Sequence, residues 1–441
     1  MLIRPWWRKP TISSDPIVII GGGAGGLELA TKLGKYFLKT KQKIILIDQN
    51  RKHVWKPLLH EVASGSLDAD IDCVDYLSHG ARNGFLFQLG VVDGLNRESK
   101  HVLLKQLNDQ DGALIFPARQ VKYSLLVFAL GSVTNDFNTL GAKQYCTFLD
   151  TCENAERFHT ELLNAFLRLK GDDTRSSLNI AIIGGGATGV ELAAEIVKTS
   201  ELLRNYGYDH LSKKSLDIHI VEAGPRILAA LPERIAQSAQ QELEALGITV
   251  NTNTAVTEVT PNSVITKDGR EIASSITVWA AGIKGPDFMQ AIGGLESAKN
   301  NQLLVNPFLQ TPLDTDIFAL GDCASCTTLK GIKVPPRAQA AHQMASTVFT
   351  NIIAKLALKP LVAYEYIDYG SLVSLSSYTA VGSLMGNINQ RSMFIEGKLA
   401  RLVYIGLYRM HQVTLFGVLK TLLIVLVGRV NRALRPNLKL H

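Results

Sequence analysis

Cysteine is sparse in this chain. Cys73, Cys146, Cys152, Cys323 and Cys326 are the only five in 441 residues. An odd number at irregular spacing makes no disulfide framework and suits a reducing compartment. Cys323-x-x-Cys326 has the spacing of a redox dithiol or of half a soft-metal site. No second Cys/His pair lies nearby to complete a zinc site. Both cysteines are therefore read as ordinary reduced thiols, and no metal site is expected. With no cluster-ligating pattern, iron–sulfur centres are not expected either. Long apolar runs are missing too. The longest candidate, Leu415 to Val427, is thirteen residues and contains Lys420, short of the roughly 20 needed to span a bilayer. Trp6-Trp7-Arg8-Lys9 opens the chain without the apolar core of a signal peptide, which argues against secretion. Acid is absent from 401 onward, where seven of the 46 bases lie, from Arg401 to Lys439. The other 39 bases face 39 acids, so the net charge of +7 belongs to the tail.

Glycine, in contrast, is plentiful, with 36 residues. Two glycine fingerprints stand out. Gly21-x-Gly23-Ala24-Gly25-Gly26 follows the apolar run Ile17 to Ile20, and Gly184-x-Gly186-x-x-Gly189 follows Ile180 to Ile183. In a strand–turn–helix setting such glycines allow a tight turn, close approach of backbone to a pyrophosphate, and packing of helix on strand. The phosphates sit at the helix N-terminus, where free N–H groups and the helix dipole favour negative charge. An acid ends a later strand in each copy. Asp48 lies twenty-two residues past Gly26, and Glu222 thirty-three past Gly189. The longer second interval calls for a long helix or an insertion around Tyr206-Gly207-Tyr208. A carboxylate at Glu222 accepts hydrogen bonds from a ribose 2′-hydroxyl and repels a 2′-phosphate, so the second site reads as one for NADH rather than NADPH. Arg226 is close enough in sequence to blur that discrimination.

The rest of the chain echoes this duplication. Leu125 to Gly131 is a buried strand stopping at glycine, and Ile276 to Gly282 has the same form. Ile317 to Asp322 is a further strand ending in Gly-Asp, and Val334-Pro335-Pro336 introduces a helix from about Arg337. Residues 360–400 alternate apolar and polar positions between glycine turns, as strands do. The expected fold is α/β, with two Rossmann-like dinucleotide-binding domains and a C-terminal membrane-surface region. Boundaries are drawn at 1–150, 151–290, 291–358 and 359–441.

Together these elements resemble the type II NADH dehydrogenases, single-chain NADH:quinone oxidoreductases of bacterial respiratory membranes. The resemblance rests on His53-Val54-Trp55-Lys56-Pro57-Leu58-Leu59-His60-Glu61-Val62-Ala63, the paired fingerprints, Ala338-Gln339-Ala340-Ala341-His342-Gln343, Gly321-Asp322 and the basic tail. It implies FAD in the first domain (1–150 and 291–358), NADH as substrate in the second, and a membrane quinone as acceptor near the flavin. It further implies that Asp322 helps to hold FAD, with Gly131 and Gly282 at the corresponding strand ends of the two cofactor sites. The helix from Arg337 would aim its N-terminus at the flavin.

Gln339 and Gln343, four apart, share a helical face. The resemblance makes that face a quinone site; taken alone it reads as a solvated glutamine face. Glu191, placed inside the first turn of the second nucleotide helix, reads either as an acid favouring that N-terminus or, from the resemblance, as a proton source or nicotinamide contact. The implied reaction passes hydride from NADH to FAD and two electrons on to quinone, without proton pumping. The rivals are a sulfide:quinone oxidoreductase, which needs a cysteine pair at the flavin, and a slow NADH-sensing flavoprotein. For the tail, Arg409 and Lys420 fall on one face if a single helix joins them, which suits an anionic lipid surface. A core helix or a homodimer seam is the competing use. The resemblance places the protein peripherally on the cytoplasmic face of the bacterial inner membrane, and no nucleic-acid partner is expected.

Overall fold

A computed structural model describes residues 10–171, 177–208, 211, 215–375, 380–385, 392–434 and 438–439. Trp6 to Lys9, most of the linker after Gly171, and Arg435 lie outside the described residues. The chain divides into two compact units, residues 1–55, 73–133 and 284–367 forming the first and 56–72, 134–283 and 368–441 the second.

The first unit is built on a five-stranded parallel sheet in the order Ile317–Ala319, Leu125–Phe128, Ile17–Ile20, Ile44–Asp48, Leu86–Leu89. Four of these strands read as near-continuous apolar runs because both faces of the sheet are covered. Ile17 pairs with Leu125 on one side and Ile44 on the other. The helices Ala24–Phe37 and Ala338–Leu356 pack against each other. An antiparallel meander (Val92–Asn96, His101–Leu104, Arg119–Lys122) joins a core with Val18, Ile20, Ile45 and Phe128.

The second unit repeats the plan. Its parallel sheet runs Cys146–Phe148, Ile276–Trp279, Leu178–Ile183, Leu216–Val221, Ile248–Asn251, the same order around the fingerprint strand. The nucleotide helix Ala187–Arg204 is 18 residues long and ends in a turn at Gly207, whose φ is +86°. That helix and turn supply much of the long interval before Glu222.

The division differs from each expected boundary, and residues 284–290 and 359–367 fall in the first unit. Residues 134–150 belong with the second unit, because Cys146–Phe148 hydrogen-bonds into its sheet beside Ile276–Trp279. Residues 56–72 also leave the first unit. Their helix Leu59–Ser64 packs on Cys152–Gly171 and Ala187–Arg204. The C-terminal region from 368 is likewise part of the second unit, not a separate body. There Gly370–Ser374, Ala380–Met385 and Ser392–Glu396 form an antiparallel sheet, and the helix Gly397–Phe416 lies on it through Ala400 and Ala380.

The tail is not one helix. Gly417 takes φ +82°, a left-handed conformation that favours glycine, and a second helix runs Val418–Leu434. Arg409 and Lys420 therefore lie on different helices, and the shared-face argument fails. No helix of the described residues is long and apolar enough to cross a membrane.

Candidate active site and nucleotide cradles

The two fingerprints fold alike. Gly21 (φ +98°) and Gly184 (φ +111°) turn the chain out of their strands. A Cβ on Gly26 would stand 1.9 Å from the Gly21 carbonyl oxygen, and one on Gly189 would stand 2.2 Å from that of Gly184. Any side chain there would prise helix from strand. The N-cap glycines are different. Gly23 and Gly186 are exposed, with ordinary backbone angles, and a Cβ on Gly186 meets nothing within 4 Å. Both helices start without a side-chain cap or an acid in the first turn. Their first N–H groups are thus left for an outside anion, which fits a pyrophosphate in each cradle.

Each acid is held in the same way. The Asp48 carboxylate accepts from the Gly22 amide at 2.6 Å and the Asn50 amide at 2.7 Å. Glu222 accepts from Gly185 and Gly224, both at 2.7 Å. Both oxygens of each carboxylate are anchored while lone pairs remain for ribose hydroxyls. Burial raises the Asp48 pKa, and the amide hydrogen bonds pull the other way. The Arg226 guanidinium donates to the Leu231 and Ala229 carbonyls at 2.9 Å, so it is occupied within its own loop. Gly131 and Gly282 end corresponding strands with φ of +68° and +67°. Asp322 accepts from the Ser132 hydroxyl at 3.0 Å, and its carbonyl accepts from Gln302. The helix at 338 begins after Arg337 with no side-chain cap and no acid in its first turn, which fits an anionic group in front of it.

Glu191 lies one turn deeper than expected. The helix starts at Ala187, no acid stands in its first turn, and Glu191 is buried. A role as an N-terminal helix acid is thereby excluded. Burial pushes its pKa up to about 8, against the Ser374 amide that donates to it at 3.0 Å, and the neighbouring Glu61 adds to the rise. The Tyr404 hydroxyl also bonds to it. His60 Nδ1 stands 3.5 Å away, but burial drives His60 down to about 4. Burial thus disfavours the charged form of both groups.

Gln339 and Gln343 do share a face, and both amides have protein partners. Gln339 donates to the Tyr366 hydroxyl at 3.2 Å. Gln343 donates to the Ile367 carbonyl at 2.8 Å and accepts from the Ile367 amide at 2.9 Å. Gln343 is thus a clamp on Ile367 as well as a candidate ligand. Beside them, His342 Nδ1 meets Glu28 of the first nucleotide helix in a short contact, and Trp55 stacks on the imidazole at 5.5 Å. Lys32 reaches the other Glu28 oxygen at 2.6 Å. Burial would raise the Glu28 pKa, but His342 and Lys32 outweigh it and hold the acid below its ordinary range.

Residues 15–345 match the pyridine nucleotide-disulphide oxidoreductase family. The chain is 46% identical to a type II NADH:quinone oxidoreductase of Haemophilus influenzae, over 96% of this chain and 99% of the relative. This chain belongs to the type II NADH:quinone oxidoreductases. It is also 32% identical to a demethylphylloquinone reductase of a Synechocystis strain, over 84% of this chain and 87% of that one. A solved NDH2 of Plasmodium falciparum in complex with NADH shares the fold with a TM-score of 0.78 at 19% identity, covering 97% of this chain and 100% of that one.

In a member of this family the cysteine pair has no thiolate to offer. Burial pushes Cys323 up to about 12 and Cys326 up to about 11, and the Cys323 thiol donates to the Leu320 carbonyl. A sulfide-oxidising role for this pair would need the opposite shift. Two groups escaped the sequence reading, Glu28 and the His342 imidazole. One signal was available. Gly-Gly-Leu-Glu-Leu-Ala at 25–30 and Thr-Gly-Val-Glu-Leu-Ala at 188–193 place an acid identically after each fingerprint.

Proposed function

We propose that the first unit holds FAD and the second NADH, each through its own fingerprint, acid and bare helix N-terminus. The enzyme oxidises NADH and reduces quinone without pumping protons. FAD, when bound, supplies the two-electron relay between the two substrates. The observation that supports one nucleotide per unit is the repeated hold on Asp48 and Glu222 by backbone amides beside the first helix turn.

In the first unit, Gly21, Gly23, Ala24, Gly25 and Gly26 carry the pyrophosphate of FAD, Asp48 its ribose, and Gly131 and Asp322 its flavin end. In the second, Gly184, Gly186 and Gly189 carry the pyrophosphate of NADH, Glu222 its ribose, and Gly282 its nicotinamide side. Glu191, protonated at neutral pH, donates a hydrogen bond that orients the nicotinamide. As a neutral group it adds no negative charge beside the hydride donor. Gln339 and Gln343 offer amide donors to a quinone carbonyl.

The helix Val418–Leu434 supports the membrane assignment. Leu419 is 74% exposed, and Leu422, Leu423, Leu426 and Val427 each more than half. Such a surface buries itself in a partner or in lipid. With Lys420 and Arg429 on the same helix and no acid in the tail, an anionic lipid surface fits better than a second copy of the chain. The enzyme would then sit peripherally on the cytoplasmic face of the inner membrane. The deciding measurement is NADH oxidation by the yellow purified protein with and without added quinone. Quinone-dependent turnover is expected. NADH binding without turnover would leave only a nucleotide sensor.

A further inference from the structure

Reduction of quinone by NADH takes up one proton from solvent for each NADH oxidised, since NADH + H⁺ + quinone gives NAD⁺ + quinol. Some group must deliver it. In the first unit the helix Ala338–Leu356 carries Gln339 and, one turn on, His342, three residues apart and so on one face. The side chain of His342 is one quarter exposed, whereas that of its partner Glu28 is only 4% exposed. This is a carboxylate–imidazole pair with the carboxylate inside and the imidazole at the surface. In such pairs the carboxylate fixes the tautomer and orientation of the ring and stabilises its charged form.

The surroundings are consistent with that use. Lys32 neutralises the second Glu28 oxygen at 2.6 Å and also donates to Ser346 at 2.8 Å, which holds the acid rigidly between two helices. Trp55 stacks on the imidazole and fixes its plane. His53, which also faces it, is driven by burial to about 4. Glu28, Lys32 and His53 thus surround His342.

We propose that His342 is the proton donor to quinone and that Glu28 is its positioning residue. His342 hands a proton from Nε2 to a quinone oxygen held beside Gln339 as the two electrons arrive. The ring then returns to its neutral form with Nδ1–H still bonded to Glu28, and is reprotonated from solvent. This rests on the reading of the Gln339 face as the quinone site.

The test uses the FAD-loaded enzyme and the variants His342→Gln, Glu28→Gln and Gln339→Ala. Flavin reduction by NADH and reoxidation by a soluble quinone are followed separately by stopped flow across pH. The tautomer of the His342 ring is followed by nitrogen NMR of the holoenzyme. His342→Gln is expected to slow reoxidation about tenfold or more and to remove its alkaline limb, with flavin reduction unchanged. Glu28→Gln is expected to slow reoxidation severalfold and to change the ring-nitrogen signals and tautomer of His342, because the imidazole loses the carboxylate bonded to Nδ1. A purely structural clamp would lower thermal stability and leave the pH profile in place. If Gln339→Ala slows reoxidation while His342→Gln keeps both rate and profile, the proton assignment is wrong and the quinone site stands. If neither variant alters reoxidation, the quinone reading itself fails.

Discussion

Glu28 and Glu191 occupy the same position in two copies of one unit, two residues past the last fingerprint glycine, and end in opposite charge states. Both are buried. Glu28 has His342 and Lys32 against it and is held ionised. Glu191 faces a backbone amide, a tyrosine, a neutral histidine and other acids, and its pKa climbs to about 8. The duplicated backbone sets the position, and the neighbours set the chemistry.

The pH dependence of stability follows from that difference. Glu191 binds a proton in the folded enzyme between its unfolded value near 4.5 and about 8, while the unfolded chain has lost it. Stability therefore falls as pH rises through this window and levels off above it. His60, lowered to about 4 from 6.5, acts oppositely below 6.5, so the clear interval is 6.5 to 8. In Glu191→Gln the melting temperature relative to the unmodified enzyme should rise across that interval. A difference independent of pH would show that Glu191 is ionised in the native state.

The N-cap glycines separate ligand binding from folding. Gly186→Ala meets no protein atom and should leave the melting temperature of the NADH-free enzyme unchanged, yet raise the KM for NADH about tenfold or more. Gly189→Ala, 2.2 Å from the Gly184 carbonyl oxygen, should cost several kcal/mol of stability as helix and strand are forced apart. Equal losses of stability in both variants, measured by calorimetry, would refute the distinction.

Cofactor choice should rest on Glu222. The Arg226 guanidinium donates to carbonyls of its own loop, so its hydrogen bonds are committed there rather than to a 2′-phosphate. Glu222→Gln is expected to narrow the NADH over NADPH ratio of kcat/KM about tenfold. Equal use of the two cofactors by the unmodified enzyme would contradict the argument.

Gln343→Ala removes both bonds to Ile367, whose exposed amide and carbonyl then pair with water. The expected cost is about 1 kcal/mol in denaturant unfolding, together with slower quinone turnover. Gln339→Ala loses the bond to the Tyr366 hydroxyl, and its effect should fall mainly on reoxidation. The reverse pattern would transfer the structural role to Gln339.

Membrane attachment should depend on the exposed face of 418–434. Replacing Leu419, Leu422 and Leu426 together with glutamine should release the enzyme from anionic vesicles by tenfold or more, with activity on a soluble quinone retained. These substitutions keep Lys439, which ties the chain end to Asp68, Asp70 and Glu156. Truncation at 401 would remove that tie, and Tyr404 with it. Full co-sedimentation of the triple variant would place the anchor elsewhere.

The sequence alone determined the two fingerprints, their strands, the acids Asp48 and Glu222, and the pairing of Gln339 with Gln343 on one face. All of these depend on neighbours within a few residues or on a fixed period, and local patterns encode them. Only the tertiary structure decided that burial drives Glu191 towards its neutral form, that Glu28 is charged against His342, and that Arg226 bonds to carbonyls of its own loop. It also moved residues 56–72 and 134–150 into the second unit and broke the tail at Gly417. A charge state depends on which groups pack around a buried acid, and those groups come from segments far apart in the chain. His342 stands 314 residues from Glu28, and Ser374 stands 183 from Glu191. No local pattern carries that information, because burial and partner are fixed only when the sheets and helices close.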